Sequence, residues 1–159
     1  MAVKYGLAQK ASGIPYLVAE GTVGGGEAVL DSPGAVRHFL DQDGIMLARQ
    51  AEEHIWMIAV DVRSRAKAVC ELAHGTIDLA PFSPRMVMTR ALLLGSSAAN
   101  MILAHNHPSG DASPSSEDRV TAKRIMEAGE TVGIRLTDFL IVAEGQVYSF
   151  LEHGEFRNL

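Results

Sequence analysis

One cysteine, Cys70, stands in a chain of 159 residues. A single thiol cannot close an internal disulfide. Nor can it supply the cysteines of a zinc knuckle, or those of a nucleobase deaminase, which needs H-x-E together with P-C-x-x-C. Within its apolar stretch Cys70 reads as a small buried residue. Positive charge is also scarce: 14 Lys and Arg stand against 19 Asp and Glu, for a formal net charge of −5. That balance disfavours nucleic acid as a partner, because little is left to grip a phosphate backbone. The densest basic group, Arg63, Arg65 and Lys67 at alternate positions, reads as a solvated turn. No apolar run approaches the ~18 residues of a membrane span. The N-terminus lacks the charged-then-apolar pattern of a secretory signal. These absences predict a cytoplasmic protein without a membrane partner.

What is present suffices for one domain with a real core, since 47% of the residues are hydrophobic. Residues 1–31 read as an N-terminal arm: Tyr16-Leu17-Val18-Ala19 is a short strand candidate, and Gly24-Gly25-Gly26 is a break. Its candidate roles are an edge strand, a partner-binding arm or a tail. From residue 32 to 159 helices and strands alternate. Ser32-Pro33 and Ser83-Pro84 each pair a cap with proline at the first helical position. The first helix buries Val36, Phe39 and Leu40 and extends towards Met46 and Leu47 unless Gly44 breaks it. The second runs to Leu94, ends at Gly95, and turns Met88, Ala91 and Leu92 inward. Glu52 to Asp61 enters a buried strand, and Ala66 to Ala73 returns as its hairpin partner, with His74 in the following loop. Leu136–Ala143 and Gln146–Leu151 flank Glu144-Gly145, a hairpin turn. The expected architecture is α/β, a mixed sheet flanked by helices.

Chemistry concentrates between Leu103 and Asp118. The run Asn100-Met101-Ile102-Leu103-Ala104 reads as a buried strand and delivers His105 and His107 two residues apart. In extended backbone those positions share a face, so both imidazoles can meet one metal ion. Pro108-Ser109-Gly110-Asp111 turns the chain away. Ser113-Pro114-Ser115-Ser116 then opens a helix, predicted to run to about Glu130 with Val120, Ile125 and Met126 inward, and places Asp118 in its first turn. Two His and one Asp leave a tetrahedral zinc ion one open position, the pattern of a catalytic site. Asp111 is a rival third ligand, but four residues after His107 it shares a tight loop with it, and Asp118 is preferred. The spelling His105-Asn106-His107 has no bearing on HNH nucleases, whose letters name residues spread over a longer motif.

The spacing His105-x-His107, seven residues, Ser115, two residues, Asp118 resembles the HxHx7SxxD signature of the JAMM (MPN+) metalloproteases. Within that family HNHPSGD followed by PSSED is most similar to the RadC group. Gly75-Thr76-Ile77, Pro84-Arg85, Arg90-Ala91-Leu92 and Leu136-Thr137-Asp138 extend the similarity over about Ser32 to Phe156. One departure is Phe139, where the family often has histidine.

The resemblance implies a cytidine-deaminase-like sandwich, a Zn2+ cofactor, and an upstream glutamate eight residues before the Asp that closes a strand. Asp61 minus eight is Glu53, with Glu52 as its rival; composition alone reads both as solvated charges. It further implies a zinc-dependent hydrolase of metallopeptidase or isopeptidase type, acting on a protein or peptide. Zinc would lower the pKa of a bound water towards ~7. Glu53 would take that water's proton and pass it to the leaving amine. Ser115 would donate to the oxyanion, a role that competes with capping the helix. RadC proteins commonly carry a helical, DNA-binding-type region ahead of this domain, for which residues 1–31 leave no room. The alternative is a metal-binding accessory module linked to DNA repair or processing without peptidase activity.

Overall fold

A computed structural model describes residues 1–75 and 83–157. Thr76 and Ile77 of the family similarity lie outside the described residues. The strands are β1 (Ala2–Gln9), β2 (Pro15–Val23), β3 (Glu53–Val60), β4 (Ala66–Gly75), β5 (Asn100–Asn106), β6 (Arg135–Ala143) and β7 (Gln146–Ser149). They form one mixed sheet in the order β2-β1-β4-β3-β5-β6-β7. β1 runs parallel to β4 and β5 parallel to β6; the other neighbours are antiparallel. Residues 2–23 are therefore a hairpin built onto the edge of the sheet.

Central strands buried on both faces read as continuous apolar runs, and Ile55 to Val60 and Met101 to Ala104 are such runs. Strand alternation then sorts their side chains between two cores. Ile55, Met57, Leu103, Phe139 and Ile141 pack on one face against helices α2 (Pro84–Leu94) and α3 (Ser116–Val132). Trp56, Ile58, Ile102, Ala104 and Leu140 pack on the other, against helix α1 (Pro33–Leu40) and the 3-10 turn Leu47–Arg49.

The serine–proline starts do what their chemistry predicts. Ser32 Oγ accepts from Ala35 N at 3.2 Å and Ser83 Oγ from Met86 N at 3.4 Å, each filling one orphan donor of a first turn. α1 stops at Leu40 instead of continuing: Gln42 N bonds three residues back to Phe39 O, and beyond it Gly44 and Met46 adopt positive φ, which no helix continues through. Two residues expected inside are outside: Leu92 is 55% and Val120 57% exposed. On a 3.6-residue helix Val120 and Ile125 lie about 140° apart and cannot share a face. The buried stripe of α3 is Ala122, Ile125 and Gly129. A Cβ on Gly129 would strike the carbonyl oxygen of Ile134, so glycine lets α3 lie close to the chain that leads into β6. His74, expected in a loop, is the penultimate residue of β4.

Candidate metal centre

β5 ends at the site. His105 is paired with Ile55 across β3 and with Ile141 across β6, which leaves it 3% exposed. Phe139 stacks on its ring at 5.3 Å between centroids. Burial of the imidazole among these apolar neighbours depresses its pKa to about 4, with Asp118 opposing the fall, so the ring is neutral at physiological pH. Its Nε2 is buried and has no hydrogen-bond partner among the described residues. Asp118 Oδ1 lies 3.2 Å from that nitrogen, but in a direction that makes no hydrogen bond.

His107 is held from behind. Its main-chain N–H donates to Val142 O at 2.9 Å, and its Nδ1 meets Asp111 O at 2.8 Å. With Nδ1 carrying the proton for that carbonyl, Nε2 is the nitrogen left free, and it faces Asp118 Oδ2 at 3.7 Å. Asp111 thus serves through its backbone, while its carboxylate accepts from Ser113 N at 2.8 Å. The turn between them needs glycine, since Gly110 has φ 87°.

Asp118 arrives on the first turn of α3 through a reciprocal capping box. Ser115 Oγ accepts from Asp118 N at 3.1 Å, and Asp118 Oδ2 accepts from Ser115 N at 2.7 Å and from Ser115 Oγ at 2.8 Å. Oδ2 is doubly held, and Oδ1 is the freer oxygen. Arg119 fastens the same turn: it donates to Pro114 O at 3.0 Å and forks onto Glu155, which also accepts from Tyr148 Oη. That guanidinium is the main reason the Glu155 carboxyl sits below the usual range.

The ligand atoms of His105, His107 and Asp118 all lie within 4.8 Å of one another. Two tetrahedral zinc ligands at about 2.0–2.1 Å stand about 3.3 Å apart, close to the 3.2 Å between His105 Nε2 and Asp118 Oδ1. A neutral imidazole, an orphaned buried nitrogen and a free carboxylate oxygen fit a divalent metal.

Glu53 opens β3. Ile55 opposite His105 fixes the register, and continuing it two residues sets Glu53 opposite His107. Its side chain shares the face of Ile55 and Met57, hence of His105. Desolvation raises its pKa, His107 lowers it and Asp118 raises it again. Glu52 lies before the strand and is exposed.

Sequence reasoning missed Asn106. Alternation points it away from its two histidines, and at 2% exposure it pins the approach to β3. It accepts from His54 N at 2.7 Å and donates to Glu52 O at 2.9 Å and Gln50 O at 3.2 Å. The available signal was an amide at the buried end of an apolar strand, which requires partners. Beside His107 a cleft of roughly 610 Å³ opens between Arg37, Asp41, Arg49, Gln50 and the turn Glu144-Gly145.

A two-core sheet with a His-x-His strand end, and a carboxylate on the capped helix that follows, defines a JAB-type domain. Residues 30–155 match the family described as RadC-like JAB domain, and the chain belongs to that family. It is 45% identical over 139 residues to a UPF0758 protein of Stenotrophomonas maltophilia, covering 87% of this chain and 56% of that one. A UPF0758 protein of Xanthomonas axonopodis pv. citri is 43% identical over 129 residues, covering 81% and 55%. One from Pseudomonas fluorescens is 41% identical over 128 residues, covering 80% and 55%. The chain spans about half the length of the curated relatives it matches. Among the described residues no helix is long and apolar enough to cross a membrane.

Proposed function

We propose that this domain is a zinc-dependent amide hydrolase acting on a protein or peptide, with His105, His107 and Asp118 as ligands and Glu53 as general base. The observation that carries the reading is the placement of Glu53. It is a carboxylate on the ligand-bearing face, at the neighbouring strand's end, and outside the ligand set. Bound zinc would supply an acidified water and polarise the scissile carbonyl.

The chain's own residues supply the rest. Glu53 accepts a proton from the attacking water and returns it to the leaving nitrogen; its raised pKa brings it nearer the operating pH of such a shuttle. Ser115 plays two parts. Its main-chain N–H and its hydroxyl both donate to Asp118 Oδ2, and because the N–H holds that oxygen by itself, the hydroxyl is the donor free to move to the developing oxyanion. The cleft beside His107 receives the substrate chain; Arg37 and Arg49 face Asp41 and Glu144 there, and Arg37 pairs with Asp41 at 3.6 Å, so its charges balance and select for neither sign.

The test pairs metal analysis with hydrolysis of a peptide and isopeptide panel. Wild-type protein is expected to purify with zinc at this site and to cleave a member of the panel. His107→Ala should lose both properties, and Glu53→Gln only the second. Cleavage that persists in Glu53→Gln overturns the assignment of the base. No cleavage of any panel member by zinc-loaded wild type, together with DNA binding at physiological salt, favours the accessory-module reading instead.

A further inference from the structure

The opposite face of the sheet carries a second cluster of donors, and we propose that it is a separate site for a divalent transition-metal ion. It consists of His54 on β3 with Glu71 and His74 on β4, whose ligand atoms lie within 4.8 Å of one another. His54 Nδ1 is 2.5 Å from Glu71 Oε1, His74 Nδ1 is 3.7 Å from the same oxygen, and the two imidazoles stack at 5.5 Å.

A defect in strand pairing makes the cluster. Ile55 pairs with Ala73 and Trp56 with Glu71, so Leu72 is an extra residue in β4. Residues three apart on a regular strand point to opposite faces; the bulge returns Glu71 and His74 to the same one. That face is His54's, because His54 pairs with His74 and alternates with Trp56. Glu53, its neighbour, faces the first centre. The two clusters therefore lie back to back across the end of one sheet.

Two imidazoles and a carboxylate suit zinc and its neighbours in the first transition series better than magnesium or calcium, which take oxygen ligands. His54 and Glu71 form a hydrogen-bonded pair, and the exposed His74, stacked on His54, places its Nδ1 3.7 Å from the same carboxylate oxygen as a third donor. Placing an ion requires the 2.5 Å contact to open to about 3.3 Å, within reach of side-chain rotation at partly exposed groups. Access is available: β1 pairs with β4 through Val3–Tyr5 against Ala68–Cys70, and beyond them a recess of about 400 Å³ reaches Glu71 and His74 beside Glu20. An ion bound there would tie β3 to β4 directly behind Glu53.

The site does not rest on the first centre, and its test is arranged accordingly. The 159-residue chain carrying His107→Ala is titrated with zinc alone by calorimetry, while ring 15N shifts of His54 and His74 are followed by NMR. One equivalent is expected to bind and to move both rings. Adding His74→Ala, at an exposed position, or Glu71→Gln should weaken that binding roughly tenfold or more, because each removes one of three ligands. In otherwise wild-type protein stripped of metal by a chelator, zinc should bind in two events, and the same two substitutions should weaken the one that moves the His54 and His74 rings while leaving the other unchanged. No second event, or one indifferent to both substitutions with the two rings unmoved, overturns the proposal.

Discussion

Asn106→Ala should destabilise the domain by about 2–4 kcal/mol. The figure follows from the three hydrogen bonds the amide makes at 2% exposure. Losing the acceptor strands the half-buried His54 N–H, which costs about 1–3 kcal/mol. The carbonyls of Gln50 and Glu52 lie nearer solvent and recover water partners, adding about 1 kcal/mol between them. In a domain of this size the sum corresponds to a melting temperature lower by roughly 5–15 °C. Urea unfolding followed by circular dichroism measures it, with the midpoint falling and the slope unchanged. Asn106→Asp separates hydrogen bonding from packing. The carboxylate fills the same volume and still accepts from His54 N, but it sets a negative oxygen against two carbonyls. A packing account leaves Asp neutral; the hydrogen-bond account makes it costly as well. If both variants unfold within about 0.5 kcal/mol of wild type, as surface substitutions do, the reasoning fails.

Four further outcomes are expected. Glu53→Gln should slow hydrolysis by about 10²–10⁴-fold, the usual worth of a general base, while metal content holds and Glu52→Gln stays active; a dead Glu52→Gln with a live Glu53→Gln would shift the register by one residue. Ser115→Ala should cost about 1 kcal/mol as a lost cap and slow hydrolysis by about 10²–10³-fold through the lost oxyanion donor, while zinc content holds because the main-chain N–H still donates to Asp118 Oδ2, read by unfolding, turnover and metal analysis. Burial raises the Asp138 carboxyl above its ordinary 3.8 despite bonds from Ser149 and the Leu151 and Phe139 amides. The folded state therefore holds that proton more tightly than the unfolded one, so this group's contribution falls as pH rises from about 3.8 through the raised value; Asp138→Asn should flatten that part of the stability–pH curve. Binding to double-stranded DNA at physiological salt should be weak, because Arg65 is committed to Glu27 at 2.9 Å and Lys67 to Asp61 at 3.3 Å; sub-micromolar affinity in an anisotropy titration, lost on neutralising Arg63, Arg65 and Lys67, would contradict this.

Local chemistry made much of this molecule legible in its sequence. Serine before proline can begin a helix in few ways, and α1 and α2 start at Pro33 and Pro84 as that pairing dictates. The spacing of His105 and His107 at the end of an apolar run, with Ser115 and Asp118 in capping-box register, is likewise set by strand period and helix-start geometry. What only the tertiary structure decided concerns partners distant in sequence. Which of Glu53 and Glu52 shares the face of His105 was not readable from composition, because that depends on the β3–β5 register 50 residues away. Asn106 looked like a spacer until its partners, Gln50, Glu52 and His54, were brought beside it. His54 and His74 read as a strand residue and a loop residue. Only a bulge at Leu72, invisible to any periodicity of two, turned Glu71 and His74 to one side and gave His54 company. Spacing within an element is written in the chain, whereas register between elements is fixed only when the two cores close around them.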